Sequence, residues 1–135
     1  MGSGISGAAV LRAASAMLKA LGGDEVALLL PATATPGDVG GQLGLVDPGV
    51  QAVMIRPVVA RALETGNLGP RRRIEFTLPA AAVTAQLSQL GFGTTDALFD
   101  AALGLMYGTA LFHIERVTPE SFAGTEYMFK VVAVE

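Results

Sequence analysis

The chain holds one histidine, His113, and histidine is the usual base for activating a nucleophile. It falls in a run, Leu111 to Thr118, whose alternation predicts a strand with Phe112 and Ile114 facing inward. His113 then shares the outward face with Glu115. Paired with an acid such as Asp96 or Asp100, it could act as a base. The simpler expectation is an outward polar strand residue. Asp96 and Asp100 lie four apart on an expected helix and share a face. Together with His113 and Glu126 they could hold a hard cation. The simpler expectation is a solvated pair near a helix start, where negative charge is favoured. No serine stands in the strand–turn–helix setting of an exposed nucleophile. There is no cysteine, so disulfides and thiolate metal sites are excluded. We therefore expect no catalytic residue, no metal and no cofactor.

Two glycine patterns could hold phosphate. Gly2-Ser3-Gly4-Ile5-Ser6-Gly7 fits the dinucleotide fingerprint as text. That chemistry needs a strand before the motif and a helix after it, and Met1 alone precedes it here. Residues 37 to 44 are glycine-rich but lack the Lys-Ser/Thr ending of a phosphate loop. Met1 to Ser6 also fits a myristoylation pattern, one that small residues produce easily by chance. The densest charge run is Arg71-Arg72-Arg73. It could touch phosphate of passing nucleic acid, or it could be a solvated strand entrance or a subunit salt-bridge patch.

Composition bounds the rest. The 135 residues suit one domain, 1–135, with a core that needs no staples. Hydrophobic residues make up 51% and charged residues 16%, below the usual quarter or so. Either the core is large or neighbours cover apolar surface. The net charge of −3 neither drives nor excludes nucleic-acid binding. The most apolar stretch, Val26 to Ala32, is far short of a membrane span. Residues 2 to 23 contain Arg12, Lys19 and no acid, as a transit peptide does, but an ordinary helix packed on a domain is the simpler expectation.

These residues need elements to position them. Residues 5–21, within an N-terminal helical region 1–23, predict a helix with Val10, Ala14, Met17 and Leu21 on one stripe, widened by Leu11 and Leu18. Ser3 or Ser6 would cap it and Gly22-Gly23 would stop it. Glu25 to Leu30 predicts a strand. Residues 31–50 hold three prolines and five glycines without period, which predicts a long loop. Gln51 to Leu63 predicts a strand that Pro57 makes an edge or breaks. Thr65 to Pro70 predicts a turn. Arg71 to Leu78 predicts a strand with Ile74, Phe76 and Leu78 on one face. Residues 80–90 fit helix or strand, with helix favoured by alanine and glutamine. Thr94-Thr95-Asp96 opens a helix carrying Leu98, Ala101, Ala102 and Leu105, ended by Gly104 and Gly108. A terminal β-hairpin fills 109–135, turning over Pro119 to Gly124. Strands and crossover helices do not alternate, so we expect an α+β fold. The expected form is a small antiparallel β-barrel or sheet with an N-terminal helix and one or two packed helices.

The end of the chain carries a resemblance. Its segments are Thr-Asp-Ala-Leu-Phe-Asp-Ala-Ala-Leu-Gly-Leu (95–105), Ala-Leu-Phe-His-Ile-Glu-Arg-Val-Thr-Pro-Glu (110–120) and Phe-Ala-Gly-Thr-Glu-Tyr-Met-Phe-Lys-Val-Val-Ala-Val-Glu (122–135). They resemble the C-terminal end of head–tail connectors of tailed bacteriophages, the head-completion or stopper-type neck proteins. Those often end in a hairpin of the form apolar-x-Ile-x-x-Val-x-Pro. The resemblance implies a virion structural protein assembled in the host cytoplasm, with no enzyme activity. It implies a homo-oligomeric ring, hexameric by analogy, contacting portal or adaptor and tail proteins. DNA would pass through the lumen without sequence recognition, and no membrane is involved. By the same analogy the long loop docks or gates through Pro36, Gly37, Asp38, Gly40, Gly41, Gln42 and Leu43, and Arg71, Arg72 and Arg73 contact DNA or a neighbouring subunit. A tail terminator or tail-completion protein would use the same physics. A non-viral ligand-binding module is the alternative of a different class, with its pocket between the terminal hairpin and helix 95–105.

Overall fold

In a computed structural model of the protein, residues 7–31, 50–63 and 71–135 are described. Period-two alternation makes six strands: β1 (Asp24–Pro31), β2 (Val50–Leu63), β3 (Arg73–Pro79), β4 (Gly104–Tyr107), β5 (Ala110–Phe122) and β6 (Thr125–Val134). Among the described residues three helices accompany them: α1 (Gly7–Leu21), α2 (Ala80–Leu90) and α3 (Thr95–Ala101). All strand pairs are antiparallel, and they close into a barrel in the order β1-β2-β3-β6-β5-β4. The fold is thus α+β, and closure selects the barrel over the open sheet.

The inward set is continuous around the barrel. Val53, Leu28, Leu105 and Phe112 are direct cross-strand partners across β2, β1, β4 and β5, and all four are buried. On β3 and β6 the inward residues are Ile74, Phe76 and Leu78 beside Ala133, Val131 and Phe129. Phe76 meets Phe112 and Tyr107 edge-on, with centroids 5.6 and 5.2 Å apart. That geometry sets the positive ring edge on the negative face. Ala80 and Val83 of α2 and Leu98 and Phe99 of α3 join this core.

Four local expectations are corrected. Pro57 does not make β2 an edge, the first of its two expected roles, but it does mark a break in the pairing, the second. β2 pairs with β1 up to Val58 and with β3 from Val59. Arg56 and Pro57 fall in the register shift between Asp24 and Val26, where no ladder bond is owed, so the missing N–H costs none. The Arg56–Pro57 bond is cis. The helix from Thr95 stops at Ala101, and 104–107 is strand. A Cβ on Gly104 would sit 2.9 Å from the Phe112 carbonyl oxygen, so this glycine admits the close pass of β4 under β5 and does not end the helix. The terminal turn is two residues, Ala123-Gly124, both at positive φ, not the six from Pro119. That is the twist-matched turn for a tight hairpin. The α1 stripe is rolled. Val10, Ala14 and Leu18 are buried, while Met17 and Leu21 are 45% and 65% exposed.

Other expectations stand. Gly23, at φ +65°, stops α1 with its N–H on the Leu18 carbonyl. Residues 80–90 are helix. Thr94 caps α3, its Oγ1 accepting from Ala97 N at 3.1 Å. The candidate docking loop, Pro36, Gly37, Asp38, Gly40, Gly41, Gln42 and Leu43, lies outside the described residues, as do the Ser3/Ser6 cap and the Thr65–Pro70 turn.

Candidate functional site: two grooves, a capped barrel end and an apolar face

The expected chemistry-bearing residues do meet. Asp96 and Asp100 of α3 and His113 of β5 line one open groove of about 540 Å³, with Glu115, Arg116, Phe99 and Leu103. The groove exists because β4 covers only Ala110–Phe112 of β5. From His113 onward β5 pairs only with β6 among the described residues. A bulge at Glu115 keeps Ile114 and Val117 against the core although they lie three apart. Glu126 is not part of this cluster. It pairs with Ser121 near the hairpin tip. No group of three metal-ligating side chains is gathered among the described residues.

The arginine run splits. Arg72 forms an ion pair with Glu135, and its guanidinium lies 5.3 Å from the Phe112 ring centroid. It thereby lies over the core ring of Phe112 where β3 begins. Arg73 pairs with Glu115 at 2.9 Å across β6. Arg71 is exposed and forms no ion pair among the described residues. These pairs are solvent-exposed, so each contributes about 1 kcal/mol or less. At the same end Tyr107 donates to Asp24 Oδ2 at 3.1 Å. Burial, then the Asp24 carboxylate, push the Tyr107 phenol above its usual value, and Arg72 opposes them.

A second groove, about 500 Å³, runs between α1 and the hairpin tip. The roll of α1 makes it, turning Ala9, Ala13 and Met17 toward Phe122 and Tyr127. Phe122 is 53% exposed.

The last feature is the outer face of β2, β1, β4 and β5. Met54, Ala27, Met106 and Leu111 form one cross-strand row, directly beside the buried row of Val53 and its partners. Met54 is 51% exposed and Leu111 42%. Val50, Ala52 and Leu29 extend the row, and charge returns only at Arg56 and Glu25. α1 and α2 pack against β2, β3 and β6, and the row itself is left partly exposed at Met54 and Leu111. Sequence reading placed Val53 and Ile55 correctly, took Val59 for their partner where the register shift at Arg56 and Pro57 buries Val58 instead, and missed the opposite face. The available signal was that Val50, Ala52 and Met54 are apolar too, so this part of β2 has no polar side. The low charged fraction pointed the same way.

No family model, curated protein or solved structure matches the chain at significance.

No described helix is long and apolar enough to cross a membrane.

Proposed function

We propose that the chain is a structural virion protein of the bacteriophage neck, a stopper-type head–tail connector. It forms a homo-oligomeric ring between portal or adaptor and tail, through which DNA passes, and it acts by surface complementarity without catalysis. The observation that carries this reading is the apolar outer face of β2, β1, β4 and β5, with Met54 and Leu111 about half exposed. A contiguous exposed apolar patch on a small protein marks a contact surface. The small barrel with an N-terminal helix agrees with what the terminal resemblance implies, though fold alone does not fix function. Within the run 71–73, Arg71 is the one arginine without an ion pair among the described residues, so of the three it is the one left to meet phosphate.

A second reading, a ligand-binding module, is favoured by the α3–β5 groove, which combines apolar walls with Asp96, Asp100, His113 and Arg116. Solution mass by light scattering, across concentration and with portal and tail proteins added, separates the two. A ring, alone or on a partner, is expected. A monomer under every condition, whose melting temperature rises with a small molecule, would replace the connector with the binding module.

A further inference from the structure

Side chains alternate along a strand, so a groove on one face of a sheet is lined by every second residue. The α3–β5 groove is lined by residues 113–117 without a gap. The bulge at Glu115 breaks the alternation once, which does not account for the whole run. The groove therefore follows the edge of β5, against the backbone itself. On its far wall Asp96, Phe99 and Asp100 have the three- and four-residue spacing of one helix face.

That edge is unpaired. β4 reaches β5 only as far as Phe112, and β6 holds the other side of β5 from His113 to Phe122. Among the described residues no backbone hydrogen bond reaches 113–117 from the groove side. An open strand edge offers donors and acceptors at alternate residues. A small molecule can meet one or two of them, whereas an extended backbone meets the whole series.

We propose that this groove receives a linear peptide of a partner protein, laid down as an added strand beside residues 113–117. At about 3.3 Å per residue the contact runs for about 16 Å. α3 limits the occupant to one strand. It stands where the next strand of a sheet would follow, so a single extended segment enters and a strand already built into another barrel is kept out. Pro119, which has no N–H, and the irregularity between Glu120 and Ser121 end the ladder beyond the groove. Leu103 gives the added strand an apolar seat: it is 51% exposed, and its N–H is fixed on the Leu29 carbonyl at 2.8 Å. Charge does not select the partner, because Asp96 and Asp100 share the groove with His113 and Arg116. Recognition falls to the backbone and to Leu103, so affinity should change little with salt. This goes beyond the connector reading and does not depend on a ring.

The test uses the whole chain and a displayed library of random linear peptides. Hydrogen exchange of the β5 amides is followed with and without a selected peptide. In the free chain the groove-side amides of 113–117 should exchange quickly, and bound peptide should slow alternate ones at least about tenfold. The peptide is then N-methylated at one amide at a time. Methylation within one alternate set should weaken binding at least about tenfold by removing strand hydrogen bonds, and within the other set by less than about threefold. A loss without that alternation, protection confined to other elements, or a library with no binder that protects this edge overturns the added strand. Edge amides already protected in the free chain overturn the partner. Protection independent of concentration then assigns the groove to a segment of the chain itself, and protection that grows with concentration assigns it to a second copy.

Discussion

At Tyr107, burial and a neighbouring carboxylate act in the same direction. Both disfavour the phenolate, so the folded state holds its proton to higher pH than an unfolded chain does. The stabilisation linked to this proton is therefore complete below the ordinary tyrosine value of about 10. It is lost as pH rises through the higher folded value. The chain has two tyrosines, and phenolate absorbance during an alkaline titration, with Tyr107→Phe for assignment, will show Tyr107 ionising late. Asp24→Asn should return it only part of the way, since burial remains as a cause. A complete return would transfer the effect to the carboxylate. Neither partner was legible in sequence, because 83 residues separate them and only barrel closure brings β1 beside β4.

Elements were read best where local chemistry decides them. The Thr94 cap, the Gly23 stop and the alternation of Ile74, Phe76 and Leu78 needed no knowledge of the rest of the chain. Misreadings came where a distant strand overrode a local signal. Gly104 looks like a helix stop because glycine so often is one. Its actual constraint is the Phe112 carbonyl of β5, which local pattern does not reveal. Gly104→Ala should cost about 1–3 kcal/mol, the range for overpacking against backbone, measured as a lower urea midpoint with unchanged slope. Gly93→Ala is the control: a Cβ there meets nothing within 4 Å, so it should be close to neutral. Equal losses in both would remove close approach as the reason for Gly104. The roll of α1 belongs with these cases. Its stripe of apolar residues was visible, but which part of it would meet the barrel depended on where the hairpin tip would lie.

For the molecule as a whole, one aromatic group joins the two halves of the barrel. Phe76 on β3 reaches Phe112 on β5 and Tyr107 on β4 across the interior. Phe76→Ala should cost about 3–5 kcal/mol, a large part of the 5–15 kcal/mol typical of a domain. Chemical denaturation will measure it. A loss under 1 kcal/mol would mean that the ring contacts do not tie the halves together. The candidate sites divide in the same way. His113, Asp96 and Asp100 were named from sequence and share a groove. The apolar outer face became visible only when the register set Met54, Ala27, Met106 and Leu111 side by side.

A barrel filled by Phe76, Phe112, Leu28 and Leu105 has no bore. Any passage in an assembly of such units must therefore run between copies, walled by residues that hold no single copy together. The lining of that passage is then free to drift in charge and bulk over generations without cost to folding, whereas the contacts that set its width cannot change on one side alone.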